Sequence, residues 1–209
     1  MGINNVCKQC REAGKKLLLK GERCASAKCA MVKSNYGPGA HGQVQKGRKR
    51  KSDYGKQLEE KQQAKRAYGL LEKQFRLTLD KASRKPGDAG KNFLRALEMR
   101  LDNVIYRLGW GVSRPQARQL VNHGHFTVND RKADIPSFSV KPGQVIKINK
   151  TSKASPYFKN TLERMKKVDR PSWLNFDNAD LSAKVLHEPK DADLPQDINV
   201  QVIIEFYSK

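Results

Sequence analysis

Residues 100–148 constrain this chain more than any other stretch of its 209 residues. Leu101, Val104, Ile105 and Leu108 recur at helical spacing and predict a helix with one apolar stripe that ends near Gly109. Ser113 stands where a helix cap belongs, with Pro115 just inside. Ala117, Leu120 and Val121 supply the next buried face, and Gly124 supplies a left-handed stop. His125–Val128 then alternates like a short strand, Asn129-Asp130 turns, and Val145–Ile148 follows Pro142-Gly143 as another strand. The other face of the second helix carries Arg114, Gln116, Arg118, Gln119, Asn122 and His123. Donors and cations on a rigid element suit phosphates and base edges.

Charge sets the partner class. Lysine and arginine number 42 against 21 acids, a formal net charge of +21. That exceeds what solubility requires and points to a polyanion. The distribution is uneven. Residues 1–51 hold 13 Lys/Arg against 2 acids, residues 52–170 hold 26 against 12, and residues 171–209 hold 3 against 7. The front and middle are expected to face the polyanion, and the acidic end to face basic protein or solvent. An apolar content of 37% and a mean hydropathy of -0.77 suggest a thin core that orders fully on its partner. No apolar run approaches the ~18 residues of a membrane span. Leu17-Leu18-Leu19, flanked by lysines, is too short for a signal-peptide core, so the expected compartment is the cytosol.

Cys7, Cys10, Cys24 and Cys29 form a C-x2-C…C-x4-C set. Soft thiolates at this spacing suit one tetrahedral zinc ion, and the surrounding Lys8, Arg11, Lys15, Arg23 and Lys28 are expected to lower the thiol pKa values. A structural Zn2+ stapling residues 1–45 is the favoured reading. An iron–sulfur cluster uses the same ligands, and spacing alone does not separate the two. Two disulfides are disfavoured in a reducing compartment.

Between the cysteines and the central stretch, Lys46-Gly47-Arg48-Lys49-Arg50-Lys51 places five cations in six positions and reads as a phosphate-binding strap. Ser52 or Asp53 caps a helix that ends at Gly69. Leu71, Phe75 and Leu79 form the stripe of a second helix. A third begins near Ala89, carries Phe93, Leu94 and Leu97, and runs on into the Leu101–Leu108 stripe. Tyr68, Phe75 and Phe93 are expected in the core. Beyond Ile148, residues 156–168 read as a helix with Phe158, Leu162 and Met165 on one side. Strands are expected around Trp173–Phe176 and Ala183–Leu186. The final N-V-Q-V-I-I-E-F-Y run is β-rich by propensity, although Asn199 could cap a helix. No phosphate-cradling glycine loop, nucleophile–base arrangement or repeat is present, so nothing supports an enzyme.

The helix, Ser-Arg-x-x-Ala-Arg-x-Leu helix, Gly-x-x-x-Val-Asn turn and Pro-Gly-x-x-Ile strand resemble the small RNA-binding module named after ribosomal small-subunit protein four. Other motifs extend the likeness: K-G-E-R-C, Y-G-P-G-A-H-G-Q, S-D-Y-G-K-Q-L-x-E-K-Q, Y-G-L-L-E-K-Q-F-R and the closing V-I-I-E-F-Y-S-K. With these the chain resembles the bacterial-type ribosomal small-subunit protein four family nearly from end to end. Relatives usually have a more basic lead than Met-Gly-Ile-Asn-Asn and differ in keeping the cysteines, so zinc rests on this chain's own spacing.

The resemblance implies an α+β protein. Together with the cysteine spacing it gives three expected parts: the metal-stapled extension 1–45, a helical domain 46–98 joined by the C-terminal segment 190–209, and a helix-plus-antiparallel-sheet RNA module 99–189. The return of the chain's end to the helical part favours a helix for the last run. The implied function is direct binding of small-subunit ribosomal RNA at a multi-helix junction of the 5′ domain early in assembly. Neighbouring small-subunit proteins would be further partners, and messenger RNA would pass near the strap. The alternative is a free-standing RNA chaperone or translational repressor built on the same module. The residues expected to meet RNA are Lys46, Arg48, Lys49, Arg50 and Lys51 in the strap, Arg100 and Arg107 on the first helix of the module, Ser113, Arg114, Gln116, Arg118, Gln119, Asn122 and His123 on the second, and Arg131 and Lys132 on the hairpin.

Overall fold

The computed structural model describes residues 6–43, 51–160, 168–177 and 180–208. The fold class is α+β, and the chain divides into two compact units: Met1–Leu79 with Gln196–Lys209, and Asp80–Pro195.

The first unit is helical. α1 (Val6–Ala13) is followed by two single turns, α2 (Glu22–Ala25) and α3 (Ala30–Lys33), and then by the long α4 (Asp53–Ala67). Ser52 caps α4, its hydroxyl accepting from Gly55 N at 3.2 Å, and Gly69 follows with φ +64°. α4 is poor in large apolar residues and buries Gln57, Lys61, Gln63 and Ala64. Its cover is the C-terminal helix Val200–Tyr207. Asn199 caps that helix by accepting from Val202 N, so the terminal run is a helix despite its β propensity. Among the described residues of this unit there is no sheet edge to pair a strand, whereas a helix bonds internally and frees its apolar face for α4. The polar side of this packing is a clasp. Lys61 lies 4.5 Å from the Phe206 ring centroid, and Glu72 accepts from Lys61 Nζ (2.8 Å), Lys65 Nζ (2.8 Å) and Tyr207 Oη (2.6 Å).

Burial alone would raise the Glu72 pKa, but these three donors outweigh it and hold it at about 2. A depressed carboxylate stabilises the fold fully above its ordinary value near 4.5 and loses that contribution as pH falls towards about 2. Carbon-13 NMR of the Glu72 carboxyl should therefore show a midpoint near the lower value, with loosening of the C-terminal helix only below pH 4.5. A midpoint at the ordinary value would mean the clasp does not form.

α5 (Glu72–Ser83) spans the boundary between the units. Phe75 and Leu79 are buried as expected, but Leu71 precedes the helix and is 62% exposed; Leu70 is buried in its place. Tyr68 and Phe93 are buried as well.

In the second unit the expected continuous third helix is two helices, α6 (Ala89–Glu98) and α7 (Leu101–Arg107). The break has a cause. Arg100 is extended (φ -70°, ψ 138°), and the loop after the hairpin takes the local backbone bonds: Leu101 N donates to Phe138 O (2.8 Å) and Val140 N to Met99 O (2.9 Å). α6 falls within the Asp80–Pro195 unit. α8 (Arg114–Asn122) follows, capped by Ser113 and stopped by Gly124 at φ +70°.

The sheet is antiparallel with order β2-β1-β3-β5-β4, formed by β1 (Phe126–Val128), β2 (Arg131–Ala133), β3 (Val145–Ile148), β4 (Leu174–Asp177) and β5 (Ser182–Val185). Asn129 and Asp130 both have positive φ, as a two-residue hairpin turn between Val128 and Arg131 requires. α7, α8 and the sheet share one core, in which Trp110 stacks on Phe126 (centroids 5.3 Å apart) and Phe158 meets Phe126 edge-on. This core is larger than the hydropathy suggested. Residues 156–160 are helical as expected; Leu162 and Met165 lie outside the described residues.

The zinc-stapled extension is not upheld. Cys7, Cys10, Cys24 and Cys29 are free thiols lining one small space, but among the described residues no group of three or more His, Cys, Asp or Glu is arranged to hold a metal. Cys10, Leu17 and Leu19 instead form a small apolar core with Val6, Ala13, Met31 and Ala67. Burial, the largest influence, pushes the Cys10 thiol up, the opposite of the lowering expected from nearby lysines. Buried cysteines here act as small apolar residues.

Candidate nucleic-acid interface

Two acids in a chain short of them organise the α6–α8 region. Glu98 and Asp102 are 1% and 5% exposed. Arg107 grips Glu98 with both arms of its guanidinium, Nε to Oε2 at 2.8 Å and Nη2 to Oε1 at 3.0 Å, and Asn103 Nδ2 donates to Oε2 at 2.9 Å. Arg100 does the same to Asp102, at 3.1 and 2.8 Å, and Arg118 Nη1 stands 3.7 Å from Asp102 Oδ2. Arg114 Nε donates to Asn103 Oδ1 at 2.8 Å, and its guanidinium lies 4.7 Å from the Tyr106 ring centroid. Arg100, Arg107 and Arg118 thus meet two carboxylates, and Arg114 is held through Asn103. The buried acids fix the arginines in place, and a surplus of two positive charges remains.

The structure sorts the expected contact residues. Arg100 is buried and engaged with Asp102, so it is a structural residue rather than a surface cation. Arg107 is 29% exposed and also serves the interior. Ser113 is buried as the α8 cap, and Gln116 Oε1 closes the preceding loop by accepting from Val112 N at 2.7 Å. Arg114 and Arg118 are partly exposed at the edge of the network, while Gln119, Asn122 and His123 are exposed along α8. Arg131 and Lys132 are exposed on β2, and the Lys132 side chain crosses the Gly124 turn at the end of α8, which brings the hairpin and the helix together. Lys51 is exposed and pairs with Glu59 at 2.7 Å; Lys46, Arg48, Lys49 and Arg50 lie outside the described residues. His125 contacts Ser152 Oγ through Nδ1 (2.9 Å). Burial first and His123 second lower its pKa, which favours the neutral ring at neutral pH.

Sequence reasoning passed over two groups. Glu98, Asp102 and Asn103 carry the network, and their only signal was a pair of acids four residues apart at the foot of a basic helix. Lys147, Lys150 and Lys153, spaced every third residue, line a cavity of about 520 Å³ with Thr127, Asp130 and Asp180. Lys147 is tied to Asp130 at 2.8 Å, a hydrogen bond that raises its pKa, and Lys153 donates to Asp180 O at 2.6 Å.

Preorganised guanidiniums, exposed amides and a basic hairpin on a rigid, well-packed unit define the class: a protein that grips structured RNA through its phosphates. Comparison with known proteins agrees. Residues 3–98 match the family described as ribosomal protein S4/S9 N-terminal domain, and residues 99–146 match the S4 domain. The chain is 51% identical over 205 residues to the small ribosomal subunit protein uS4 of Pelotomaculum thermopropionicum, covering 98% of this chain and 97% of that protein. It is 52% identical over 203 residues to the protein of the same name from Clostridioides difficile, covering 97% and 96%. With uS4A of Clostridium perfringens strain 13 the identity is 51% over 204 residues, covering 98% and 97%. The chain belongs to the small ribosomal subunit protein uS4 family.

Proposed function

We propose that the chain clamps a multi-helix junction of the 5′ domain of small-subunit ribosomal RNA and so nucleates assembly, with the Lys46–Lys51 strap beside the messenger entry region. The protein is a structural, non-enzymatic constituent of the small ribosomal subunit that binds ribosomal RNA and sits among other ribosomal proteins. The observation that carries the finer reading is the arginine set held by Glu98 and Asp102. Fixed cations lose little freedom on meeting a phosphate, so several contacts can form together on a surface whose shape matches the RNA. The proposed contacts are Arg114, Arg118, Gln119, Asn122 and His123 on α8, Arg131 and Lys132 on the hairpin, and the strap cations.

Two measurements test this. In a sucrose gradient the protein should co-sediment with small subunits at constant stoichiometry; sedimentation apart from them would favour a free-standing chaperone or repressor. In a binding assay, Arg114→Ala and Arg118→Ala should each weaken junction binding about tenfold or more, the loss of one charge-assisted hydrogen bond, with the circular-dichroism spectrum unchanged. Unchanged affinity in both would move the interface off α8.

A further inference from the structure

Beneath the β1–β2 hairpin lies a cavity of about 590 Å³, within the size range of small-ligand pockets. Val128, Ala133, Ile135 and Phe138 give it apolar walls, and Arg131 and Lys132 stand at its rim. Ile135 is 59% and Phe138 37% exposed, apolar surface that a folded chain ordinarily covers. Phe138 is held firmly: its carbonyl accepts from Leu101 N at 2.8 Å and its N–H donates to Ile135 O at 3.0 Å.

The polar groups of the lining are oriented too. Asn129 Oδ1 accepts from Val145 N at 2.9 Å, and Gln144 Oε1 accepts from Lys141 N at 2.8 Å. Each amide oxygen is therefore committed to the backbone, and each amide NH2 is left as a directed donor. Asp134 adds one acceptor to the same lining. An aromatic face, two fixed donors, a carboxylate and two rim cations match a nucleobase joined to a phosphate. A greasy peptide would leave the directed donors unmatched. The Lys132 side chain, which crosses the turn at the end of α8, makes the cavity continuous with the proposed RNA-binding face.

We propose that this cavity takes one unpaired nucleotide of the bound RNA, its base stacked on Phe138 and its phosphate on Arg131 and Lys132. This rests on the RNA-clamping reading above and adds to it a site that tells single-stranded from paired RNA.

The test uses the full chain and two probes, a single-stranded oligouridine carrying 4-thiouridine and a duplex RNA of equal length. Phe138→Ala should lower affinity for the single strand about tenfold or more while duplex affinity and salt dependence stay unchanged. Phe138→Trp should restore single-strand binding. Photocrosslinks from 4-thiouridine should fall within residues 128–138. Buried Trp110 and Trp173 report whether each variant is folded, and Phe138→Leu, which keeps apolar volume without a stacking face, serves if the alanine variant is not. Equal losses on both probes, no loss on either, or crosslinks elsewhere would overturn the nucleotide site. So would normal single-strand binding with loss of a neighbouring ribosomal protein, since that outcome makes the cavity a protein-docking site. If the wild-type chain shows no preference for ribosomal RNA, the clamping reading itself fails, a result separate from the behaviour of the Phe138 variants.

Discussion

Replacing Glu98 with alanine is expected to destabilise the Asp80–Pro195 unit by about 3–5 kcal/mol, the usual result of removing one partner from a buried ion pair. Glu98 is 1% exposed and receives both arms of Arg107 and the Asn103 amide. Without the carboxylate, Arg107 loses both bonds to Glu98 at a buried point, Asn103 keeps only the Glu98 backbone carbonyl, and the partner that orients Arg114 is held less firmly. Glu98→Gln retains an acceptor and should cost less. Lys91→Ala, which removes only an exposed contact with Asp191 in the same unit, should leave the unfolding midpoint nearly unchanged. Urea unfolding followed by Trp110 and Trp173 fluorescence measures all three. A Glu98→Ala loss no larger than that of Lys91→Ala would show that the buried acid does not hold Arg107 in place.

The second large effect is on salt. If about six to ten phosphates are neutralised on binding, affinity for the ribosomal RNA junction should drop about a thousandfold or more between 50 and 200 mM monovalent salt, taking duplex DNA as the guide. A net charge of +21 makes nonspecific attraction certain, so the informative comparison is the junction against an arbitrary duplex at the same salt. Both should show steep salt dependence, while the junction keeps a constant advantage contributed by fixed geometry. A binding isotherm flat in salt would exclude phosphate clamping; equal affinity for both RNAs would leave the arginine network without a role in selection.

Local chemistry was legible. The Ser113 cap, the Gly124 stop, the Asn129-Asp130 turn and the Val145–Ile148 strand stand where their residue types put them, because capping, positive φ and alternation are properties of a few adjacent residues. Long-range effects were not. Leu71 fitted a helical stripe and is exposed, because the helix starts one residue later. The Ala89–Leu108 run looked continuous, yet it breaks at Arg100 where residues 138–140 claim its backbone bonds. The cysteine spacing suited zinc, but spacing does not say whether the sulfurs can converge with ligand geometry, and Cys10 packs instead into a small apolar core.

By itself the sequence determined that this chain is a basic, structured-RNA-binding protein with one rigid helix–turn–helix–hairpin module, because charge excess and short-range periodicity are written residue by residue. The tertiary structure alone decided which cations face outward. Arg100 and Arg107 look like their neighbours in a string of letters, and only the folding of Glu98 and Asp102 into the interior draws them in while leaving Arg114 and Arg118 at the rim. The reason is the cost of burying a carboxylate: each acid taken from water must bring guanidiniums with it, and which ones come is set by packing in three dimensions.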